Sequence, residues 1–330
     1  MSIEFAVQLA NMEPSRFRAN AQAAEALGYD MILFPDHLVL EGPERQYDPL
    51  SLAYDSIAVA AALIEATTSI RIGHLVLCNL FRHPAITAQS LMTLDQFSGG
   101  RLIAGLGTGW TQTEFDMMGI AFPPIEERLK MLDESLECIV SLWANDRTSF
   151  AGEFYQLNDA ILFPKPIQQP RPPILLGGSG KGLLRIAAKY GDYINIIPPA
   201  GKLGHISLEN VRSLTDEEFS KRVRFVREEA KRLGRNPDRI KGSNFIFNAV
   251  LTDSPSETRK AAEMVGQMLG QSAEMVLESP MSLIGTPDEC IAELKRRVES
   301  WGVTNFVLSA FTTIDEEILQ AWKQKVFSHV

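Results

Sequence analysis

Short runs of apolar and β-branched residues alternate with longer amphipathic stretches along the whole chain. The short runs predict strands, at Ile3–Leu9, Met31–Pro35, Ile70–Leu77, Leu102–Leu106, Pro173–Leu176, Tyr193–Ile197, Ile240–Leu251 and Asn305–Phe311. The longer stretches repeat apolar residues at i, i+3 and i+4, the spacing of one helix face. They predict helices at Pro14–Leu27, Leu50–Ala66, Ala85–Gln96, Ile125–Trp143, Leu183–Tyr190, Thr215–Leu233, Pro255–Met268, Pro287–Trp301 and Ile314–Val326.

The order of these elements predicts the fold class. Eight strands, each followed by at least one helix, are typical of a (β/α)8 TIM barrel, a member of the α/β class. No shift in composition and no linker rich in proline, glycine or serine divides the chain, so we predict a single domain over residues 1–330.

Three segments are longer than simple connections require. Residues 148–163 have the pattern of a hairpin ahead of strand five, and residues 198–214 follow strand six with little periodicity. Residues 269–286 interrupt the connection from strand seven to strand eight, where the one surplus helix also falls. Loops of this length in a compact domain are usually functional, so we predict insertions near the site at these places.

Composition narrows the range of partners. The chain is 45% hydrophobic and 22% charged, and its formal net charge of −9 argues against nucleic acid or an anionic membrane as a partner. No apolar run approaches the ~18 residues of a membrane-spanning helix, and the N-terminus lacks a signal-peptide pattern. The three cysteines are widely spaced, as expected of free thiols in a reducing compartment. We expect a cytoplasmic protein that acts on a small molecule.

The histidines and cysteines argue against a metal site. The five histidines form no H-x-H or H-E-x-x-H motif, and the three cysteines have no zinc-ligand spacing. We therefore predict no bound metal ion.

Polar residues and glycines gather where the predicted strands end. Strand two leads into Asp36 and His37, strand three into Asn79, strand four into Gly105–Trp110 and strand five into Gly177–Gly180. The carboxyl ends of barrel strands meet on one face, and barrel enzymes carry their active sites there. The sequence therefore predicts one shared site.

His37 is the candidate acid–base residue of this site. An imidazole just past a barrel strand can exchange a proton near neutral pH when a neighbour orients its ring, and the alternative is a histidine bonded only to its loop. Asp36 is a candidate for the orienting residue, with an ordinary loop cap as the alternative. Glu114 is a poorer acid candidate and is expected to anchor its loop.

Two glycine-rich stretches resemble nucleotide motifs without matching them. GLGTGW, residues 105–110, is not G-x-G-x-x-G; it predicts either a tight strand exit or a wall that a flat ring can approach. ILLGGSGKG, residues 174–182, has Leu175 where a P-loop needs glycine, and it lacks the spacing of a serine-nucleophile elbow. It still leads into a helix, whose free N–H groups suit an anion such as a phosphate.

Longer stretches are similar to a known superfamily. RHPAITAQSLMTLDQFSGGRLIAGLGTGW (residues 82–110), followed by Glu114-Phe115, closely resembles a block of the bacterial luciferase-like monooxygenase superfamily. ALGYDMILFPDHL, FAGEFYQL, PKPIQQPRPPILLGG and IGTPDECIAELKRRVESWGVTNFVL resemble its other landmarks in order. Members use reduced FMN or the 5-deazaflavin F420, and this chain looks nearest the branch of F420-dependent oxidoreductases. The superfamily also implies a homodimer.

The resemblance implies where a flavin-type cofactor would lie. Its ring edge would meet Asp36 and His37, which we take as the catalytic candidates. The ring face would rest on the exit of strand three, where deazaflavin members hold a non-prolyl cis peptide bond, at Leu75, Val76 and Leu77. The ring or its ribityl chain would be lined by Asn79, Gly107, Thr108, Gly109 and Trp110. The phosphate would bind backbone N–H groups of Gly177, Gly178, Ser179 and Gly180.

One residue departs from the pattern of the F420-dependent sugar-phosphate dehydrogenases. They carry a glutamate directly after G-T-G, whereas this chain has Trp110. A hexose-phosphate substrate is therefore not expected. Trp110 is either an apolar wall for a less polar substrate or a residue with a purely packing role.

Several functions stay open from the residues alone. With F420 the chain would reduce or oxidise a small organic substrate by hydride transfer, and with reduced FMN and O₂ it would be a monooxygenase. The alternatives outside this chemistry are a non-catalytic flavin-binding subunit, and a phosphate-ester isomerase or metal-free hydrolase on the same barrel.

Overall fold

The computed structural model describes residues 2–39, 52–200, 207–309 and 314–330. Its strands are β1 (Glu4–Gln8), β2 (Met31–Phe34), β3 (Arg71–His74), β4 (Leu77–Cys78), β5 (Leu102–Gly107), β6 (Thr148–Ala151), β7 (Gln156–Ala160), β8 (Ile174–Gly177), β9 (Tyr193–Ile196), β10 (Lys241–Ile246), β11 (Asn248–Leu251), β12 (Ser282–Gly285) and β13 (Val303–Leu308). Its helices are α1 (Pro14–Ala26), α2 (Ser56–Ala66), α3 (Pro84–Phe97), α4 (Gln112–Met118), α5 (Ile125–Ala144), α6 (Lys181–Tyr190), α7 (Leu208–Ser213), α8 (Asp216–Arg232), α9 (Pro255–Leu269), α10 (Ala273–Glu278), α11 (Pro287–Trp301) and α12 (Glu316–Lys325).

The main sheet is parallel and closes on itself. Its strands follow the order β3, β2, β1, β13, β10, β9, β8, β5 and β4, and β5 also pairs with β3. The strands β3 and β4 are the two halves of the predicted third strand, separated by residues 75 and 76. The sheet is therefore an eight-stranded barrel surrounded by helices, and the predicted TIM-barrel fold is confirmed.

Buried charges close the barrel at the amino ends of its strands. The Glu4 carboxylate on β1 accepts hydrogen bonds from Arg71 on β3 at 3.0 Å and from Lys241 on β10 at 2.6 Å. Arg71 also donates to the hydroxyl of Tyr193 on β9 at 2.9 Å. Because these strands are not neighbours around the sheet, the contacts cross the barrel interior. They fill its floor and leave the carboxyl ends for a site.

Glycines bring the third and fourth barrel strands, β3 and β5, unusually close. A Cβ added at Gly73 would lie 2.5 Å from the carbonyl oxygen of Ile103, and one added at Gly105 would lie 1.7 Å from that of His74. Neither distance can accommodate a methyl group, so both positions require glycine. This contact fixes the height at which strand three leaves the barrel.

Strand seven differs from its prediction. The run Ile240–Leu251 is not one strand, because the backbone N–H groups of Phe247 and Asn248 donate to the carbonyl of Met281 and leave the barrel ladder. The chain continues as β11, which pairs in parallel with β12 in a separate two-stranded sheet. The predicted insertion 269–286 thus contains α10 and the whole of β12, while the hairpin predicted in residues 148–163 is present as β6 and β7.

Other boundaries also shift. Helix α2 begins at Ser56 rather than Leu50, because Asp55 caps it through a 2.8 Å hydrogen bond from Ala58 N. Residues 50 and 51, part of the segment 198–214, and the predicted end of the last strand at 310–311 lie outside the described residues. Within the described ranges, no helix is long and apolar enough to cross a bilayer.

The contact at Gly105 gives a direct stability test. We expect Gly105→Ala to cost at least about 3 kcal/mol of unfolding free energy, or to prevent folding, because the new methyl group would collide with backbone. Gly242→Ala is the matched control, since its Cβ would be 3.4 Å from its nearest neighbours in the same barrel, and it should change stability by less than about 1 kcal/mol. Chemical denaturation measures both, and equal effects would contradict the packing described above.

Candidate active site

Four neighbouring strand exits form the mouth of the barrel. In barrel order they follow β2, β4, β5 and β8, and all of these strands run in the same direction. His37 follows β2, Asn79 follows β4, Gly107 ends β5 and Gly177 ends β8. The structure therefore brings the exits that carry the predicted site residues to one end of the barrel.

The exit of strand three is a bulge with a cis peptide bond between Leu75 and Val76. Gln8 Nε2 donates to the Leu75 carbonyl at 3.3 Å, and the Leu75 N–H donates to the Phe34 carbonyl at 2.8 Å. The Val76 side chain lies across the neighbouring exits: a Cβ at Gly107 would come within 2.6 Å of it. The peptide bond is of the kind that the resemblance implies at this position.

Asp36 ties the exits of strands two and three together. Its side chain is 4% exposed and accepts hydrogen bonds from Arg82 at 2.6 and 3.1 Å, from Ser56 Oγ at 2.7 Å and from the Cys78 N–H at 3.0 Å. Arg82 also binds Asp55 at 2.8 Å. Of the two alternatives for Asp36, these bonds favour the structural one, because both of its oxygens are already engaged.

His37 is oriented by Glu114 rather than by Asp36. The His37 ring contacts Glu114 through Nδ1, at 3.1 Å from Oε1, and Glu114 Oε2 accepts from the Leu38 N–H at 3.0 Å. The ring stands perpendicular to that of Trp110, with centroids 5.7 Å apart. Glu114 thereby joins its own segment to the exit of strand two, and the sequence pattern did not reveal α4, the helix that carries it.

A second histidine near the mouth has a different environment. His74 is completely buried beneath the bulge, and burial lowers its pKa to about 4. It is therefore neutral at physiological pH, and its Nε2 lies 3.4 Å from the Ser56 carbonyl. Among the described residues no group of histidines, cysteines and carboxylates could hold a metal ion.

Asn79, which was predicted to line the cofactor, forms a hydrogen bond that the sequence did not indicate. Asn79 is buried, and its Nδ2 donates to the hydroxyl of Tyr155 at 3.4 Å. Tyr155 precedes β7 in the hairpin, and burial raises its pKa. Its ring also packs perpendicular to His83, 5.5 Å away. The hairpin thus contributes a side chain to the exit of strand three, which the hairpin pattern alone could not indicate.

A side chain of α5 contacts the exit of β5. Arg128 of α5 donates to the carbonyl of Gly109 and stacks on the Phe122 ring at 3.9 Å. Gly109 has a φ of 73°, and a Cβ there would lie 2.8 Å from Cys78 Sγ. The position needs glycine on both counts. Thr108 and Trp110 flank it and are partly exposed.

The loop after β8 requires one correction. The Gly178 N–H was predicted to bind phosphate, but it donates to the Asn195 carbonyl at 2.9 Å and is unavailable. Ser179 is 8% exposed, and its Oγ is buried without a hydrogen-bond partner among the described residues. Helix α6 begins one residue after Gly180 without a side-chain cap. A buried unpaired hydroxyl beside an uncapped helix start fits a phosphate, so these residues suit the phosphate end of a flavin-type cofactor.

The comparisons with known proteins agree with this fold. The model of the luciferase-like monooxygenase family matches residues 2–305, and the chain belongs to this family. It is therefore an oxidoreductase of the flavin- or deazaflavin-dependent class, and both predicted cofactors, F420 and reduced FMN, appear in the names of its relatives.

Two curated relatives illustrate the two chemistries. An F420-dependent glucose-6-phosphate dehydrogenase from Amycolatopsis mediterranei is 27% identical over 322 residues, which cover 93% of this chain and 91% of that protein. An FMNH(2)-dependent dimethylsulfone monooxygenase from Pseudomonas putida is 32% identical over 177 residues, but these cover only 53% of this chain and 47% of that protein.

A solved structure shows the same fold. An F420-dependent secondary alcohol dehydrogenase, in complex with an F420–acetone adduct, superposes with a TM-score of 0.79 at 21% identity. The match covers 99% of this chain and 98% of that chain.

Removing Asp36 tests its structural role. We expect Asp36→Ala to lower the unfolding free energy by about 3 kcal/mol, because Arg82 would lose a buried partner. Asp55→Ala is the matched control at the other, exposed partner, and should cost only about 1 kcal/mol through the helix cap. Denaturant titration measures both. Similar small losses in the two variants would show that Asp36 does not hold the exits together.

Proposed function

We propose that the protein is an F420-dependent oxidoreductase that acts on the hydroxyl or carbonyl group of a small, moderately apolar molecule. The observation that carries this proposal is the oriented His37 beside a bulged, glycine-lined mouth with an anion site at its rim. The preference for F420 over FMN rests on the relatives, since the F420-dependent one matches along nearly the whole chain.

The residues at the mouth have separate tasks in this proposal. When bound, F420 exchanges a hydride with the substrate carbon. His37 Nε2 takes the hydroxyl proton when an alcohol is oxidised, and returns it to the carbonyl oxygen in the reverse direction. The bulge at Leu75–Val76 supports the ring face, and Trp110 walls the substrate side.

The phosphate end is assigned to the start of α6. Ser179 Oγ and the backbone N–H groups of the first helical turn are suited to a phosphate, because they combine an unpaired donor with the positive end of the helix dipole. The space beside Gly180 is open, since a Cβ there would meet nothing within 4 Å.

The substrate is proposed to be apolar near its reacting group. A cleft beside His37 is lined mainly by apolar side chains, among them Leu9, Phe17, Phe34 and Val59, and also by Asn11, Tyr54 and Ser56. Two arginines at these exits are already engaged: Arg82 with the carboxylates of Asp36 and Asp55, and Arg128 with the Gly109 carbonyl. This lining suits an aliphatic or aromatic substituent better than a sugar phosphate.

A reduced-FMN monooxygenase is the second candidate. It is supported by the match to the dimethylsulfone monooxygenase, which has a higher sequence identity than the F420-dependent relative but covers only part of the chain. The same ring and phosphate positions would serve that cofactor.

Cofactor titration tests the proposal. We expect the purified chain to bind F420 more tightly than FMN, and Ser179→Asp to weaken binding at least about tenfold, because the new carboxylate would repel the phosphate. Ser256→Asp is the matched control, an exposed serine in the first turn of α9, and should leave the Kd unchanged. Fluorescence titration measures all of these.

The outcomes separate the alternatives. Tighter binding of FMN would replace the leading candidate with the monooxygenase. Binding of neither cofactor would overturn the proposal and favour an isomerase or hydrolase, and cofactor binding without turnover of any alcohol or carbonyl compound would favour a non-catalytic subunit.

The assembly and the location of the protein are two further parts of the proposal. We propose a homodimer through the exposed face of α3, where Phe97 is 71% and Ile86 54% exposed. A cytoplasmic location is supported by the three cysteines, which are all buried and unpaired.

Sedimentation velocity tests the dimer. Phe97→Asp should produce monomers, because a charge would be buried in the apolar contact. Met268→Asp, at an equally exposed side chain on α9, should not. A monomeric wild-type chain, or a dimer that survives Phe97→Asp, would contradict this assembly.

A further inference from the structure

The carboxylate of Glu114 bridges two consecutive residues at the exit of strand two. Its side chain is 3% exposed. One oxygen lies 3.1 Å from His37 Nδ1, and the other accepts the Leu38 backbone N–H at 3.0 Å. Two bonds from adjacent residues fix both the position and the rotation of this carboxylate.

The contact with Glu114 determines which nitrogen of the His37 ring carries the hydrogen. An ionised carboxylate has no hydrogen to donate, so His37 Nδ1 must be the donor in this contact. The neutral ring therefore has its lone pair at Nε2. The His37 side chain is 22% exposed, and none of the described residues hydrogen-bonds Nε2.

We propose that Glu114 is the positioning residue of the reaction. It holds His37 in the tautomer whose Nε2 can take the substrate proton. This inference rests on the proposed function of His37 as the proton-exchanging group. Glu114 does not reach the mouth itself, because its oxygens are buried against His37 and Leu38, so it acts only through the imidazole.

Among the described residues, Glu114 is the one placed to orient the His37 ring. Asp36 is next to His37 in sequence, but Arg82, Ser56 and the Cys78 N–H occupy its oxygens. Trp110 stands perpendicular to the imidazole and limits its rotation from the other side. The orienting carboxylate therefore comes from α4, in a different part of the chain.

Glutamine at position 114 should reverse the tautomer. In Glu114→Gln the amide oxygen can accept the Leu38 N–H, and the amide NH₂ then faces His37 Nδ1. That NH₂ can only donate, so Nδ1 must accept and the hydrogen moves to Nε2. The same loss of the catalytic tautomer follows when an orienting aspartate is replaced by asparagine in serine proteases.

Nitrogen NMR of the full chain labelled at the histidine side chains measures this directly. Spectra are recorded at alkaline pH, where the ring is neutral, and His37→Asn identifies the His37 signals. We expect the wild type to carry its hydrogen on Nδ1, and Glu114→Gln to change the tautomer ratio more than about tenfold toward Nε2–H. Glu127→Gln, an exposed glutamate in the first turn of α5, should have no effect.

Each outcome decides the proposal. A wild-type ring protonated on Nε2 would overturn it, as would an unchanged tautomer in a folded Glu114→Gln, since Glu114 would then only anchor Leu38. If the glutamine variant does not fold, Glu114→Ala is read in the same spectra, and a mixture of both tautomers supports the proposal. The spectra need no cofactor, so a failure to bind F420 counts against the proposed function and not against this tautomer assignment.

Discussion

The close approach of the third and fourth barrel strands, β3 and β5, determines the geometry of the rest of the site. At Gly105 the backbone of His74 occupies the space that a side chain would need, and at Gly107 the Val76 side chain does the same. Strand three can therefore leave the barrel as a bulge directly against the β5 exit. The bulge sits between the His37 side of the mouth and the loop after β8, so a ring resting on it would reach both.

The two buried carboxylates at the mouth, Asp36 and Glu114, have different roles because they have different hydrogen-bond partners. Asp36 faces an arginine, a hydroxyl and a backbone N–H, and its charge is used to join two strand exits. Glu114 faces an imidazole and a single backbone N–H. One carboxylate joins two strand exits, and the other orients the imidazole that we propose as the proton-exchanging group.

The barrel and the location of the site were predictable from the sequence, whereas the pairing of its side chains was not. Alternating strand and helix patterns, with polar residues and glycines at the strand exits, carry the fold and place His37, Asn79 and Gly107 at one end. Adjacency in sequence suggested Asp36 as the partner of His37, but Glu114 holds the ring, from 77 residues further along the chain. A contact of that separation leaves no periodic signal.

Backbone hydrogen bonds account for two further differences between the sequence-based predictions and the structure. Gly178 looked free in the sequence, yet the register of β8 against β9 places its N–H opposite the Asn195 carbonyl. Strand seven broke at Phe247 because the Met281 carbonyl, 34 residues away, captures its backbone N–H, at 2.8 Å. Ser179, by contrast, keeps a buried hydroxyl without a partner, which only the packed structure could reveal.

The central claim is that the exits of β2, β4, β5 and β8 form one pocket for one flavin-type cofactor. The most direct measurement is a crystal structure of the chain with F420 bound. The account predicts the ring against Leu75–Val76 with its edge toward His37, and the phosphate at Ser179 and the start of α6. A ring bound away from the bulge, or a phosphate at another strand exit, would contradict it.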